Sequence, residues 1–336
     1  MGNVRLLIVT QAIDLNDPVL GFFHRWVEEF AKHCDHVHVI AQREGVHLLA
    51  GQVTVHSLGK EKRVSKLGQI FRFWKLIWTL RDKYDVVFVH MIPWWMVLGA
   101  PMWMFLRKRR YLWYEHRQVT LKLRKAIWLS AKVFSASKEG MPIKTNKSLV
   151  TGHGIDTEKF SPDPARLDRH HIVTVGRITK SKRLELIINA FASLPAVYRL
   201  TIVGRPATPA DSAYMKHLEH LINQHHLNDR VTIRTIMHDD LPPLLRSAAA
   251  FVHASQTGLD KAMLEAMACG CTVVTCSDNV PDDAPGVEQC SEEELGTTLR
   301  KVLETDMRDP QASHAYVEAN HGLQRLIDRL VKEMTL

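Results

Sequence analysis

The sequence is poor in cysteine and has no paired-cysteine motif. Its 336 residues include only Cys34, Cys269, Cys271, Cys276 and Cys290, an odd number without a Cys-x-x-Cys. This content argues against a disulfide framework and favours a reducing compartment. The opening residues, MGNVRLLIVT, run straight into a β-branched stretch without a basic leader or an acylation signal. We therefore expect a cytoplasmic protein.

Several ligand-binding motifs are also missing. The turn after the first strand pattern reads TQAIDLND rather than Gly-x-Gly-x-x-Gly, which argues against a nicotinamide dinucleotide. The sequence has no Walker-type Gly-x-x-x-x-Gly-Lys-Ser/Thr, so a P-loop nucleotidase is disfavoured. It has no Asp-x-Asp, and its histidines lack metal-ligand spacing. We expect no bound metal and an activity that survives chelation.

Charge is distributed unevenly along the chain. Residues 1–150 contain 24 basic and 11 acidic side chains, whereas residues 151–336 contain 20 basic and 25 acidic ones. The basic first half implies an anionic partner, which could be a membrane surface, an anionic acceptor or a nucleic acid. A nucleic acid is the least favoured of these, because the charges form no recognised nucleic-acid-binding motif.

The hydrophobic pattern predicts two α/β domains. Short β-branched runs such as VRLLIVT, HVHVIA and YDVVFVHM alternate with helical patterns, and the alternation restarts at HIVTVG after the proline-containing segment EKFSPDPARLDRHH. We place the domains at 1–160 and 161–336, each a doubly wound parallel sheet. The last helical pattern, HGLQRLIDRLVKEM, is a candidate for packing back on the first domain.

Two segments of the second half carry the chemistry. VGRITKSKRLELI places Gly176, Arg177 and Lys182 at a helix start, where backbone amides and cations suit a diphosphate. The alternative is a solvated basic turn. SQTGLDKAMLEAMACGCTVV places Glu265 within a helix, where a carboxylate can accept hydrogen bonds from a ribose diol. The alternative for this residue is a surface glutamate.

These segments, together with TGHGIDTEKFSP, resemble the nucleotide-sugar-binding half of the family 4 (group 1) retaining glycosyltransferases. The opening VTQAIDLNDPVLGFFHRWVEEFAKHC resembles the acceptor-side domain of one bacterial branch of that family. The resemblance implies the GT-B fold, in which two Rossmann-like, doubly wound parallel-sheet domains face a cleft. It also implies a nucleotide-diphosphate sugar of UDP or GDP type as co-substrate, with no further cofactor.

The resemblance assigns roles to individual residues of the second half. Arg177 and Lys182 would neutralise the donor diphosphate, and Glu265 would hold the ribose hydroxyls. The remaining donor-binding positions would face the sugar, the phosphates or the base: Gly176, Arg205, the stretch 235–237, Thr257, Gly258, Leu259 and Asp260.

One of these positions departs from the family pattern. Thr257 stands where the family commonly has the first of two glutamates, eight residues before Glu265. A hydroxyl does not supply that carboxylate, so Asp260 or another group substitutes for it, or transfer is altered. The alternative function is a non-catalytic nucleotide-sugar-binding protein.

The first half supplies the acceptor-side candidates. His116 ends the strand-like YLWYEH, where such enzymes often carry a histidine that faces the donor sugar and the acceptor. The other candidates are Asp14, Gly21, His24 and His90. Structural histidines and ordinary Asp-rich turns are the alternatives.

Two aromatic-rich stretches of the basic half suggest contact with a membrane. The apolar run Ile92–Leu106 is shorter than the roughly 20 residues that a spanning helix needs, and we interpret it as a buried helix. KEKRVSKLGQIFRFWKLIWTLRDK is basic and amphipathic, as in helices that rest on anionic lipid. We therefore expect peripheral attachment to the inner membrane face and a glycan or lipid-linked acceptor.

Overall fold

The computed structural model describes residues 4–17, 20–116, 118–255, 260–278, 280–281, 283–305 and 308–335. Its strands are β1 (Arg5–Ile13), β2 (His36–Glu44), β3 (Val53–Ser57), β4 (Val86–His90), β5 (Arg109–Trp113), β6 (Lys132–Ser135), β7 (Ser148–Val150), β8 (Asp168–Val175), β9 (Arg199–Val203), β10 (Val231–Arg234), β11 (Ala248–His253), β12 (Thr272–Thr275) and β13 (Val287–Gln289). Its helices are α1 (Phe22–His33), α2 (Lys66–Thr79), α3 (Pro93–Phe105), α4 (Leu121–Leu129), α5 (Leu184–Ala192), α6 (Pro209–Gln224), α7 (Leu241–Ser247), α8 (Lys261–Ala268), α9 (Leu295–Thr305), α10 (Pro310–His321) and α11 (Leu323–Thr335). Short 3₁₀ turns cover Pro164–Arg166, Lys180–Lys182 and His238–Asp240.

The chain divides into two compact units. The first unit consists of Met1–Gly154 together with Gly322–Leu336, and the second unit of Ile155–His321. Helix α11 therefore belongs to the first unit, although it comes last in the sequence. The boundary that the proline-containing segment suggested, after residue 160, lies slightly later in the chain than the one found here.

Each unit is built on one parallel sheet. The strand order is β3-β2-β1-β4-β5-β6-β7 in the first unit and β10-β9-β8-β11-β12-β13 in the second. In both sheets the direction of winding reverses beside the first strand, so β1 lies next to β4 and β8 next to β11. The predicted fold class, two doubly wound parallel sheets, is confirmed. Ligands of such sheets bind outside the carboxyl ends of the strands at this reversal.

The first sheet is covered by helices on both faces. Leu6 and Ile8 of β1 point to the face that packs against α1 and α11, whereas Leu7 and Val9 point to the face covered by α2, α3 and α4. This alternation follows from the two-residue period of a strand, and both sets are apolar because both faces are buried.

Helices α2 and α4 begin where their sequences provide a capping side chain. The Ser65 hydroxyl accepts a hydrogen bond from the Gly68 amide at the start of α2, over 3.1 Å. The Thr120 hydroxyl does the same for the Leu123 amide at the start of α4, over 3.1 Å. Such caps satisfy amides that have no partner within the helix.

Helix α3 is only partly a core helix. Trp95, Met96 and Trp103 are buried against the sheet, whereas Trp94 and Phe105 on the outer side are exposed. The interpretation of this run as a buried helix therefore holds for one face only. Within the described residues, no helix is both long enough and apolar enough to cross a membrane.

The second unit repeats the arrangement with its own core. Helices α5, α6 and α9 pack on the face of the sheet that includes Ile172 and Ile202. Helices α7, α8 and α10 pack on the other face, against Val173, Val203 and Phe251. Because β8 and β11 are central strands buried on both faces, the residues at their carboxyl ends are held in place firmly.

The contribution of α11 to the first unit can be tested with tryptophan fluorescence, because all eight tryptophans of the sequence lie in that unit. Leu330 of α11 is fully buried in the core beside α1. We expect Leu330→Ala to lower the free energy of unfolding of the first unit by about 2–5 kcal/mol. The measurement is the urea transition followed by tryptophan emission.

Arg329→Ala, at an exposed neighbouring position, is the matched control and should change that free energy by less than about 0.5 kcal/mol. An unchanged transition in Leu330→Ala would show that α11 does not stabilise the first unit.

Candidate functional site

The turns that follow β8, β9 and β10 come together at the carboxyl edge of the second sheet. The Gly176 amide donates to the Val203 carbonyl over 2.9 Å, and the Gly204 amide donates to the Arg234 carbonyl over 2.9 Å. A Cβ atom placed on Gly204 would lie only 2.0 Å from the Gly176 carbonyl oxygen. Only glycine therefore permits this close approach of the two turns.

The structure brings two predicted donor-site residues into direct contact. Lys182 lies in the 3₁₀ turn Lys180–Lys182, and its alkyl chain passes beside Gly176. Its Nζ forms an ion pair with the carboxylate of Asp260, the residue that caps α8. The other oxygen of that carboxylate accepts a hydrogen bond from the Ala262 amide over 3.1 Å. The contact joins the turn after β8 to the start of α8.

His253, at the carboxyl end of β11, is a further partner of this carboxylate. Its Nε2 lies 3.4 Å from Asp260 Oδ2, and its Nδ1 lies 3.1 Å from Thr275 Oγ1. Thr275 Oγ1 also accepts the Ser277 amide proton over 3.1 Å.

Asp260 is held in its ionised form. Burial by itself would raise the pKa of the carboxyl, but the hydrogen bond from His253 and the charge of Lys182 outweigh it and hold the pKa far below its usual range. The site thus contains a permanent negative charge within reach of a lysine and a histidine. The sequence analysis did not single out His253; the signal was its position at a strand end, which it shares with His90.

Glu265 is also deeply buried, only 4% exposed, and has two cationic or polar partners. His238 Nε2 lies 2.8 Å from Glu265 Oε1, and the Lys261 ammonium lies 3.6 Å from the same oxygen. Burial opposes the charge of Glu265, yet Lys261 and His238 together lower its pKa. Burial lowers the pKa of Lys261 to about 8, against the opposing effect of Glu265. The alternative of an exposed surface glutamate is therefore wrong.

The sequence analysis missed His238, which belongs to no motif, and Lys261, which lies in the quoted segment SQTGLDKAMLEAMACGCTVV but had no role assigned to it. The His238 ring packs against Phe160, with 5.3 Å between ring centroids. Only the folded chain shows that this turn after β10 reaches α8.

The remaining predicted donor residues lie at the same edge. Arg177 directly follows Gly176 and is exposed, as is Arg205 after β9. The Ile178 amide donates to the Arg205 carbonyl over 3.2 Å, and the Thr235 hydroxyl donates to the Gly204 carbonyl over 3.4 Å. The predicted positions Thr257, Gly258 and Leu259 lie outside the described residues.

In the first unit, His116 lies at the carboxyl edge of the sheet on an anchored loop. Its neighbour Glu115 accepts hydrogen bonds from the amides of Ala136 and Ser137, over 2.7 and 3.1 Å. A Cβ on Gly140 would lie 1.9 Å from Glu115 Oε1, so this side chain fills the space that glycine leaves. Burial raises the pKa of Glu115, against the hydrogen bonds from Ser137. The imidazole of His116 is exposed.

The turn after β1 is held by its own aspartates. Asp14 Oδ1 accepts from the Asn16 amide over 3.0 Å, and Asp17 forms an ion pair with Arg43. The Gly21 amide donates to the Asp17 carbonyl over 2.9 Å at the start of α1. These contacts shape the loop; whether Asp14 and Gly21 contact an acceptor stays a prediction.

The two other acceptor-side candidates are packed inside the first unit. His24 Nε2 accepts the Leu48 amide proton over 3.1 Å. His90 is fully buried and stacks on Phe23, with 3.9 Å between ring centroids, while its Nδ1 lies 3.3 Å from Thr10 Oγ1. Both rings stabilise the fold at the edge of the sheet, and a role toward an acceptor stays a prediction.

Among the described residues, no group of three or more His, Cys, Asp or Glu side chains is arranged to hold a metal ion. The expectation of an activity that survives chelation stays a prediction.

Asp260→Asn tests the ionised carboxylate of the second unit. Since the folded pKa is depressed, the charge stabilises the fold above the ordinary value of 3.8 and stops doing so as pH falls through the folded pKa. We expect the substitution to cost about 3 kcal/mol at neutral pH, because it leaves buried partners uncompensated. The cost should shrink below about pH 4. The measurement is the urea unfolding transition, monitored by circular dichroism, at neutral pH and below about pH 4.

The control is Asp163→Asn, which removes an exposed ion pair with Arg166 and should have little effect at either pH. A cost for Asp260→Asn that is equal at neutral and acidic pH would contradict the assigned charge state.

Residues 169–304 match the sequence model of the family described as glycosyl transferases group 1. No protein of curated function matches the chain. Among solved structures, HepE of Anabaena in complex with UDP and glucose is 16% identical, with a TM-score of 0.78 over 99% of this chain and 100% of that one. Sucrose-phosphate synthase from Thermosynechococcus elongatus is 18% identical, with a TM-score of 0.69 over 98% of each chain.

A third similar structure is an alpha-glucosyltransferase in complex with UDP and a 13-mer DNA, 15% identical, with a TM-score of 0.73 over 99% of this chain and 100% of that one. At these identities the similarity establishes the fold, so the chain has the GT-B fold of glycosyltransferases. Its second unit is similar to the group 1 glycosyl transferases over residues 169–304.

Proposed function

We propose that the protein is a retaining glycosyltransferase that moves a hexosyl or related sugar from a nucleotide-diphosphate sugar to an acceptor hydroxyl. The observation that carries the proposal is the contact of Lys182 with Asp260 at the carboxyl edge of the second sheet, beside the exposed Arg177. It places cations at the reversal point of a doubly wound sheet, where a diphosphate would bind.

The donor's nucleotide has a matching set of groups. Glu265 contacts His238 and Lys261 through Oε1, and we assign its second oxygen, Oε2, to the ribose hydroxyls. Arg205 and residues 235–237 would lie near the base. HepE, which shares the fold, has been solved with UDP-glucose. This supports uridine over guanine among the two expected bases.

The transfer step would proceed on one face of the sugar. The bond from the anomeric carbon to the diphosphate breaks, the acceptor oxygen bonds to the same carbon from the side that the nucleotide leaves, and the acceptor proton passes to the departing phosphate oxygen. Arg177 and Lys182 would stabilise the charge that builds on the leaving diphosphate, which is the main electrostatic contribution. No strong protein base is needed on this account.

Asp260 is our candidate for the carboxylate that Thr257 does not provide. It is ionised, buried and fixed at the start of α8 by Lys182 and His253. A diphosphate that draws Lys182 toward itself would leave the Asp260 charge directed at the positive charge that develops on the sugar ring.

His116 would act from the acceptor side. Its Nδ1 accepts the Gln118 amide proton over 3.1 Å, so its ring proton lies on Nε2 and can be donated to a sugar or acceptor oxygen. We propose Asp14, Gly21, His24 and His90 as acceptor-side residues, the last two by fixing the edge from inside the core.

The acceptor we propose is a glycan precursor or a lipid-linked saccharide, used in the cytoplasm or at the inner membrane face. The support is the excess of basic residues in the first 150 positions, 24 against 11 acidic ones.

The second candidate function is a nucleotide-sugar-binding protein without transfer, favoured by Thr257 alone. Slow hydrolysis of a labelled donor in the absence of acceptor supports the enzyme, whereas a pure binder leaves the donor intact.

A thermal-shift panel of UDP, GDP and their sugar conjugates tests donor binding. A ligand at 100 times its dissociation constant adds about 2.7 kcal/mol of stability, so the donor nucleotide should raise the melting temperature clearly. Glu265→Gln should abolish the shift with nucleotides, since an amide accepts fewer hydrogen bonds from a diol. If no nucleotide in the panel shifts the melting temperature, the proposed donor site is wrong.

Turnover tests the two cations. Arg177→Ala and Lys182→Ala should each lower the transfer rate about 100-fold or more, because each removes a charge that stabilises the leaving diphosphate. The rate is measured by release of nucleoside diphosphate, and circular dichroism checks that the fold survives. Arg166→Ala, an exposed arginine paired with Asp163, is the control and should keep full activity. Unchanged turnover in Arg177→Ala would reject the assignment.

A further inference from the structure

Helix α2 carries large apolar side chains on the side that faces away from the core. Its inner side buries Phe73 and Ile77 completely. Leu67, Phe71, Trp74 and Trp78, spaced four, three and four residues apart, form a continuous stripe on the outer side. Leu67 and Phe71 are 69% and 67% exposed. A solvated helix ordinarily carries polar residues on such a face.

Helix α3 extends this surface without any charged residue. Trp94, Pro101 and Phe105 lie seven and four residues apart on its outer side, and all are exposed. Trp74 of α2 donates its indole proton to the Leu98 carbonyl of α3 over 3.0 Å. The two helices therefore present one joined apolar surface.

Helix α4 closes the surface on the other side and adds positive charge. Leu121 and Trp128 are 77% and 74% exposed. Lys122 places its ammonium 5.0 Å from the centroid of the Trp94 ring of α3. The outer sides of α2, α3 and α4 together form what we name the aromatic-basic face. Its helices contain six cations and no acidic residue: Lys66, Arg72, Lys75, Lys122, Arg124 and Lys125.

The opposite face of the same unit has a different character. Helices α1 and α11 carry mixed charges, with ion pairs such as Arg25 with Glu28 and Lys32 with Glu29. Neither of these helices, both described in full, has a large hydrophobic residue among its exposed side chains. The aromatic-basic face is thus a local property and not a general feature of the unit.

We propose that the aromatic-basic face docks on the surface of an anionic lipid bilayer. Tryptophan and phenylalanine side chains enter the headgroup boundary, where indole rings are favoured, and the lysines and arginines contact lipid phosphates. The 13 residues of α3 extend about 20 Å at 1.5 Å per residue, so the helix lies in the plane of the interface and does not span it. The docking needs no sugar donor and is independent of the proposed transfer.

Vesicle co-sedimentation tests the charge of the face. The protein should bind vesicles that contain phosphatidylglycerol and ignore vesicles of phosphatidylcholine alone. The charge-reversed variant Lys122→Glu/Arg124→Glu/Lys125→Glu should bind at least about 100-fold more weakly, since each lost cation near an anionic leaflet contributes about fivefold and the new carboxylates add repulsion. The control, Arg325→Glu/Arg329→Glu/Lys332→Glu on exposed positions of α11, changes the net charge equally and should stay within about tenfold of the original protein.

Serine substitutions test the apolar part. At high salt, where the charge contribution is screened, the vesicle affinity of Phe71→Ser/Trp78→Ser/Trp128→Ser should fall at least about tenfold. The control is Leu48→Ser, at a position that is 78% exposed beside α1, and it should keep its affinity. The nucleotide thermal shift of each variant reports separately on the donor site.

Four outcomes would overturn the proposal. The first is that the protein ignores anionic vesicles, and the second is that the α4 and α11 variants lose binding equally. Double-stranded DNA bound as tightly as the vesicles and released by the α4 variant would assign the face to nucleic acid. A dimer in light scattering that the serine variant dissociates would assign it to a second copy of the chain.

Discussion

The largely buried carboxylate of Asp260, 18% exposed, is the group on which the carboxyl edge of the second unit depends. It caps α8, pairs with Lys182 from the turn after β8 and faces His253 at the end of β11. A buried carboxylate is tolerated only when its charge is compensated, and here two cationic or polar partners from two neighbouring strands compensate it. The same contact holds Lys182 at the carboxyl edge of the second sheet.

The two units have the same strand arrangement at the point where the winding reverses, but different side chains surround it. Each has a histidine at the end of its fourth strand, next to the first strand, where the winding reverses. In the first unit that residue, His90, is enclosed by Phe23 and Trp113. In the second unit His253 faces a carboxylate. Equivalent positions thus serve packing in one sheet and electrostatics in the other, because the neighbouring helix starts differ.

Charged side chains are also arranged differently in the two units. In the first unit, α2 and α4 carry six cations and no acidic residue, beside exposed aromatic side chains. In the second unit, Lys182 and Lys261 are paired with carboxylates near the strand ends. Arg177 and Arg205 at the same edge are exposed.

The amino-acid sequence alone predicted the two doubly wound sheets, since the alternation of β-branched runs and helical patterns is local, and its motifs singled out Lys182, Asp260 and Glu265 as candidates. It did not reveal His238, Lys261 or the two faces of α3. Those depend on contacts such as His238 with Glu265, 27 residues apart, and Lys182 with Asp260, 78 apart. Side-chain period is set by backbone geometry, whereas partners and exposed faces are decided only when the helices pack on the sheet.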